Sequence, residues 1–295
     1  MQSLSSAHTQ SGTVAIGYKS LEKVTSGSGN VAMGYEALKN VVTGQQNIAI
    51  GYEAAEGFSV GESNNIAIGY ETMTLFDEGD AGGDVDYNIA IGTQAFTGGD
   101  LASNNRQVQK NIAIGGFALN STSDNATTGQ IAIGHNSLTA CTSGLYNTAV
   151  GYQSGLAITT GLNNSFFGYA CGDGTDDGAR NTAVGAGAIS ANAADDNTAV
   201  GYEALKVATG SDNTAVGSNA GSALTTGSYN VVMGYASLDA ADGGESNNIS
   251  IGTNAMGSIN HDDSDHNVVI GDSALIGGTG TVKRNIAIGS NALGT

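Results

Sequence analysis

The sequence predicts an all-β protein, a parallel β-solenoid of about 16 coils, and two observations carry that prediction. A five-residue motif of the form Asn-x-Ala-[Ile/Val]-Gly recurs sixteen times along the chain, usually at intervals of 16 to 19 residues. The 295 residues also include 46 glycines and no proline. A short fixed period indicates stacked units that bury one another's apolar faces. Absence of proline is typical of a chain whose backbone donors are needed in sheet ladders.

Each motif is interpreted as a short strand that ends at a glycine. The first position is Asn in fourteen copies, the third is Ala in twelve, the fourth is always apolar and the fifth is always Gly. Successive side chains of a strand point to opposite faces, so positions two and four share one face and position three lies on the other. Both faces are apolar, and we therefore expect the strand to be buried on both sides. Parity alone leaves open which face lies inside the coil.

The asparagines and glycines of the motif are predicted to be structural. Asparagine amides stacked in equivalent places can hydrogen-bond to the copies above and below them. Glycine at position five supplies a backbone conformation or a close approach that a Cβ atom forbids. The residues assigned to this ladder are Asn30, Asn47, Asn65, Asn88, Asn111, Asn147, Asn213, Asn230, Gly34, Gly51, Gly69 and Gly217.

After the glycine, each unit continues as in Gly201–Leu205, with Tyr at the sixth position in eight copies. We interpret this segment as a second, shorter extended stretch with the tyrosines stacked along one edge, followed by a polar turn. Residues 1–12 are then a lead-in, and residues 13–295 form a single repeat array. Two intervals of 23 residues predict longer loops at 74–87 and 97–110.

The charge balance and the apolar pattern exclude several classes of partner. The chain has 9 basic and 27 acidic residues, a formal net charge of −18, which argues against binding to nucleic acid. No run of about 18 apolar residues is present, so we expect no membrane insertion, and residues 1–12 lack the features of a secretory signal. Cys141 and Cys171 lie two coils apart, too far for a disulfide, and are expected to be small buried fillers.

The repeated N-x-A-[VI]-G motif resembles the YadA-like head repeats of trimeric adhesins, and more closely the NTAVGYxAL variant of phage tail-fibre proteins. The resemblance covers Thr13 to Leu293, although the coils are longer than those of bacterial adhesin heads. It implies a left-handed parallel β-roll, three chains packed side by side, and adhesion without catalysis. It also implies a virion-surface or extracellular location, with other virion or fibre proteins and a host-surface glycan or protein receptor as partners.

Few residues have the type and spacing of a catalytic or metal-binding site. No nucleophile–base arrangement is recognisable, so we expect no enzymatic activity. Several acidic, glycine-containing loops supply oxygen ligands of the kind that Ca²⁺ takes, but they match no calcium-loop pattern, and no cofactor is predicted. The second long loop carries Arg106 and Lys110, which are candidates for a receptor contact because loops on a rigid scaffold often bind partners, and a tolerated insertion is the open alternative. The weak calcium candidates are Asp77, Asp80, Asp84, Asp86, Asp262, Asp263 and Asp265.

Three functions stay open at this point. The favoured one is a non-catalytic structural fibre protein, a homotrimer that mediates attachment to a host surface, because a neighbouring chain must cover the second apolar face. The alternative is a subunit of a self-assembling extracellular filament that stacks end to end through open sheet edges. An ice-binding solenoid is less favoured, because Thr occupies position two only at Thr148, Thr182, Thr198 and Thr214.

Overall fold

The computed structural model describes residues 11–76, 84–99, 106–122, 125–276 and 280–294. These residues form short β-strands joined by turns, and no helix occurs among them. The chain divides into two compact units, Met1–Val150 and Gly151–Thr295. It is a parallel β-solenoid of about 14 turns, seven between the eight stacked strands of each unit, so the predicted all-β solenoid is confirmed.

The first unit contains one sheet of eight three-residue strands and a second, smaller sheet. In the large sheet every strand pairs in parallel with the equivalent strand of the next coil, and the pairing is in phase: Ala32 lies opposite Ala15 on one side and Ala49 on the other. The large sheet is formed by β1 Val14–Ile16, β2 Val31–Met33, β3 Ile48–Ile50, β4 Ile66–Ile68, β6 Ile89–Ile91, β8 Ile112–Ile114, β10 Ile131–Ile133 and β11 Thr148–Val150.

The second unit contains eight more motif strands in the same parallel arrangement. The register is again in phase, since Ala183, Ala199 and Ala215 lie opposite one another on consecutive strands. The strands are β12 Ser165–Phe167, β13 Thr182–Val184, β14 Thr198–Val200, β15 Thr214–Val216, β16 Val231–Met233, β17 Ile249–Ile251, β18 Val268–Ile270 and β19 Ile286–Ile288.

The interior of a coil is filled from four positions of the repeat. In the coil that begins at Asn30, the fully buried apolar side chains are Ala32, Ala37, Leu38 and Val41, at positions three, eight, nine and twelve. Equivalent side chains of successive coils stack on one another because the strands are in register. Each coil therefore contributes one layer to a continuous apolar core.

Small residues at the ninth position are compensated by larger ones elsewhere in the core. Gly172 occupies a ninth position, and the aromatic ring of Phe166 lies so close that a Cβ atom on Gly172 would stand 2.3 Å from ring carbons. Ala55 is the ninth residue of its coil, and Phe58, at the twelfth position, is fully buried there. The layers keep a similar volume although their residues differ, as close packing requires.

The segment after the glycine is not the extended stretch that the sequence predicted. It is a series of turns in which the seventh and ninth residues adopt left-handed backbone angles, with φ of 54° at Glu36 and 47° at Leu38. The N–H of Glu36 donates to the carbonyl of Tyr18 in the preceding coil, and the N–H of Leu38 donates to the carbonyl of Ala54 in the next. These bonds offset the cost of a left-handed angle at residues with a Cβ atom.

The two long insertions also differ from the predicted loops at 74–87 and 97–110. Each ends in a strand, β5 Asp84–Asp86 and β7 Gln107–Gln109, and these pair in parallel with each other and with β9 Thr127–Thr128. The inward residues Val85 and Val108 are fully buried, so the added residues widen the coil and extend its core. The remaining parts of the two predicted loops, 77–83 and 100–105, lie outside the described residues.

Candidate functional site

The first position of the motif forms a hydrogen-bonded asparagine ladder inside each unit. Oδ1 of Asn213 accepts a bond from the backbone N–H of Asn230 at 3.0 Å, and Nδ2 of Asn213 donates to the carbonyl of Gly227 at 2.9 Å. Asn147 joins through its N–H, which donates to Oε1 of Gln130 at 3.1 Å. The same Oδ1 bond to the next coil is made by Asn30, Asn47, Asn65, Asn88, Asn111 and Asn230.

One member of the ladder is incompletely bonded and provides a test of it. Asn181 accepts from the N–H of Asn197 at 2.9 Å, but its buried Nδ2 has no acceptor among the described residues. Asn213→Ala should therefore lower the free energy of unfolding by about 1–2 kcal/mol more than Asn181→Ala does, because it also removes the bond to Gly227. Urea unfolding of both variants measures the difference. Equal losses would show that the Nδ2 bonds contribute nothing.

The glycines at the fifth position are required by both their backbone angle and their surroundings. Gly217 has φ of +138°, and a Cβ atom built on it would lie 2.4 Å from the carbonyl oxygen of Gly234. Gly34, Gly51 and Gly69 have the same geometry, with the Cβ position 2.0–2.4 Å from the carbonyl oxygen of the next motif glycine. These residues let adjacent coils approach at the end of each strand.

Positions two and four of the motif point away from the core, and we call their side chains the strand face. Within the chain the strand is buried on one side only: Ala32 and Ala90 are fully buried, whereas Met33 and Ile91 are 38% and 36% exposed. A single chain therefore buries one side of the strand, because one coil has one interior, and burial of the other side by a neighbouring chain stays a prediction. In the first unit the strand face comprises Val14, Ile16, Val31, Met33, Ile48, Ile50, Ile66, Ile68, Ile89, Ile91, Ile112, Ile114, Ile131, Ile133, Thr148 and Val150.

The strand face of the second unit is also largely apolar, with some threonine. Phe167, Val184 and Met233 are exposed there. Its residues are Ser165, Phe167, Thr182, Val184, Thr198, Val200, Thr214, Val216, Val231, Met233, Ile249, Ile251, Val268, Ile270, Ile286 and Ile288. A column of partly or fully exposed, largely apolar side chains is the kind of surface that proteins use for association.

A column of stacked tyrosines follows the strand face at the sixth position. In the first unit the rings of Tyr18, Tyr35, Tyr52 and Tyr70 stack with centroids 5.0–5.3 Å apart. All four are exposed, and a hydrogen bond to Glu53 raises the pKa of Tyr52 to about 12. The tyrosine column adds rings with a polar hydroxyl group to the apolar strand face. Tyrosine is enriched at protein interfaces because it combines an apolar ring with a hydrogen-bonding group.

Among the described residues, the first acidic candidates for calcium ligands are engaged by other protein groups. Asp84 and Asp86 are strand residues of β5: Oδ2 of Asp84 accepts from Nε2 of Gln109 at 3.1 Å, and Oδ1 of Asp86 accepts from the N–H of Ser63 at 2.7 Å. Burial raises the pKa of Asp86. No group of three or more potential metal ligands occurs in the part of the chain that the structure describes. Asp77 and Asp80 lie outside that part.

The second acidic cluster is held by protein contacts as well. Oδ1 of Asp265 accepts from the N–H of Ser246 at 2.8 Å, and Asp263 lies 3.3 Å from Nζ of Lys283. Asp262 lines a shallow depression of about 320 Å³ together with Asp263 and His261. The arrangement holds the turn before β18 in place.

Arg106 and Lys110 directly flank strand β7, in the connecting segments before and after it. The carbonyl of Arg106 accepts from the N–H of Asp84, and the N–H of Lys110 donates to the carbonyl of Asp86. Lys110 has a left-handed φ of 60° and directly precedes Asn111 of the ladder. Both residues therefore lie at the ends of β7 beside the small sheet, and their contact with a receptor stays a prediction.

The two cysteines are buried and free, as predicted from their spacing. Burial raises the pKa of Cys141 to about 11 and that of Cys171 to about 12. Since the thiolate is the reactive form, both thiols are inert at neutral pH. They pack as small apolar residues.

A search of the described residues for a helix long and apolar enough to cross a bilayer finds none. Comparison of the chain with protein-family models, curated proteins and solved structures finds no match. The strand face, the ladders and the repeat itself are therefore the features that indicate a function.

Proposed function

We propose that this chain is a non-catalytic structural fibre protein, a homotrimer whose solenoids pack side by side and mediate attachment to a host surface. A virion-surface or extracellular location, and association with other virion or fibre proteins, belong to the same proposal. The observation that carries it is the strand face, where the Ile, Val, Met and Phe side chains of positions two and four are partly or fully exposed and lie in register on successive coils. A second apolar surface of matching length is needed to cover it.

A copy of the same chain meets that need. The strand face repeats at the strand spacing of about 4.8 Å, and only a surface with the same period matches it over many coils. Two copies that run in the same direction have this property at every level. The number of three chains is supported by the resemblance of the motif to the heads of trimeric adhesins.

Attachment without catalysis is supported by the way side chains are distributed. In the part of the chain that the structure describes, equivalent residues form columns, such as the tyrosines of the first unit, and do not converge on one point. Columns suit repeated weak contacts, which three parallel chains multiply by avidity. The net charge of −18 favours partners other than nucleic acid.

Light scattering of the purified full chain tests the assembly. We expect a mass three times the 29.3 kDa of one chain. A monomer at micromolar concentration would refute the proposal, and long filaments in electron micrographs would favour end-to-end stacking in its place. Attachment is tested by flow cytometry of labelled protein on a panel of intact bacterial strains. If the protein adsorbs to none of them, the proposed attachment to a host surface is contradicted.

A further inference from the structure

A groove with polar and apolar lining runs along the first unit, and none of its lining residues belongs to the strand face. It consists of two adjoining cavities of about 410 and 520 Å³, which share Thr74 and Leu75 as lining residues. The cavities extend from the coil that contains Lys23 to the coil that contains Asn120. Five coil spacings separate those coils, so the groove is roughly 24 Å long at about 4.8 Å per coil. We call this feature the side groove.

The upper part of the side groove presents two columns of hydrogen-bonding side chains. The seventh position contributes Glu53, Glu71 and Gln94, and the tenth position of the coils above contributes Thr74, Thr97 and Asn120. Each column advances by one side chain per coil because the coils are stacked in register. The lining therefore offers a carboxylate, amide or hydroxyl group at nearly every level.

Contacts within the protein hold these side chains in place. Nε2 of Gln94 donates to Oε2 of Glu71 at 2.6 Å, and this bond lowers the pKa of Glu71. Nδ2 of Asn120 donates to the carbonyl of Gln94 at 2.7 Å, and Oγ1 of Thr97 donates to the carbonyl of Asn120 at 2.9 Å. Such bonds fix the groups before a ligand arrives, which reduces the entropy lost on binding.

An exposed apolar side chain and the charges of the lining limit the class of ligand that the side groove can bind. Leu75 is 57% exposed and projects between the two cavities, where the apolar face of a ring can pack against it. The cavity of about 410 Å³ has two carboxylates and no basic residue in its lining, and in the adjoining cavity the charge of Lys23 is balanced by that of Glu56, which together disfavour phosphate, sulfate and acidic sugars. Hydroxyl groups both donate and accept hydrogen bonds, as the amides and threonines here do.

We propose that the side groove binds a linear, uncharged oligosaccharide that lies along the stack of coils. The coil spacing of about 4.8 Å is close to the length of one pyranose ring in an extended chain, so successive sugars in the upper part of the groove meet successive levels of both columns. The carboxylates accept from sugar hydroxyls, the amides bond in both directions, and Leu75 supports a ring face. This inference rests on the proposed attachment function, for which the groove supplies a specific ligand class.

The test is calorimetric titration of the full chain with cellohexaose and chitohexaose, two linear neutral hexasaccharides. Hexagalacturonate and spermine serve as anionic and cationic comparisons. We expect at least one neutral hexasaccharide to bind, and the double variant Glu53→Gln, Thr97→Val to weaken that binding at least tenfold. Both replacements keep the shape of the side chain while removing a charge or a hydroxyl group.

A matched control lies in the second unit. Glu203 occupies the same seventh position of its coil and also bonds to the preceding tyrosine, so Glu203→Gln should leave the affinity for the hexasaccharide unchanged. The proposal is overturned if neither neutral hexasaccharide binds, if spermine or hexagalacturonate binds in their place, or if the double variant binds as the parent does. Melting temperatures of the variants verify that each is folded.

The outcome is separable from that of the assembly experiment. If the protein is a trimer but binds no hexasaccharide, the fibre proposal stands and the proposed sugar binding in the side groove is contradicted. If the protein is a monomer that binds a hexasaccharide, and the double variant binds it tenfold more weakly, the proposed sugar binding stands and the proposed trimer is contradicted. Light scattering on the samples used for titration decides between these cases.

Discussion

The triple variant Met33→Glu, Ile91→Glu, Ile133→Glu is expected to dissociate the proposed trimer into monomers of 29.3 kDa. The three residues occupy the fourth position of their motifs and are exposed on the strand face of the isolated chain. In a side-by-side assembly the replacements bury nine carboxylates in apolar surroundings, and each uncompensated charge costs several kcal/mol. Light scattering at micromolar protein should show the threefold drop in mass.

The control for this variant is a second triple replacement away from the strand face. Val60, Leu162 and Val207 are 38%, 39% and 36% exposed, close to the values for the residues of the strand face, and lie in other parts of the coil. Glutamate at these three positions adds the same charge to each chain and should leave the trimer intact. Dissociation of both variants would point to general charge repulsion, and dissociation of neither would contradict the assignment of the interface.

Gly217→Ala is expected to lower the free energy of unfolding by about 3–5 kcal/mol. The new methyl group would lie 2.4 Å from the carbonyl oxygen of Gly234, so the strands on either side must separate. The backbone at φ of +138° is also strained for any residue with a Cβ atom. Both costs act in the middle of the ladder of the second unit, where the bond from Asn230 to Asn213 is buried.

Gly244→Ala provides the comparison within the same unit. The nearest atom to its Cβ position is Oγ1 of Thr226 at 3.6 Å, an ordinary contact, and its φ lies outside the left-handed region. We expect a change within about 0.5 kcal/mol of the parent. Thermal unfolding followed by circular dichroism compares the two variants, and a loss below about 1 kcal/mol for Gly217→Ala would mean that the coils adjust freely.

The sequence was most informative where one residue type has one physical use. Glycine at the fifth position predicted a close approach or an unusual angle, and Gly217 shows both. Tyrosine at the sixth position predicted a stacked column, and Tyr35 and Tyr52 have ring centroids 5.0 Å apart. In these cases the side chain, or its absence, allows few alternatives, so repetition alone identifies the role.

The sequence was least informative where the backbone departs from the preference of its residues. Glu36 and Leu38 adopt left-handed angles, although neither residue type favours them, because their N–H groups bond to the coils on opposite sides. The strands of the insertions were missed for a related reason. Val85 and Val108 become adjacent only after 23 residues of chain, and nothing in the local pattern records that pairing.

The sequence by itself determined that the chain is a stack of short parallel strands in phase, because a repeated five-residue motif can satisfy its backbone bonds only against its own copies. The tertiary structure decided which face of those strands lies inside. Alternation places Ala49 opposite to Ile48 and Ile50 but does not rank the two faces. In the coil, the ninth and twelfth side chains already occupy the interior, which leaves room for alanine and turns the larger pair outward, where the proposed partner chain lies.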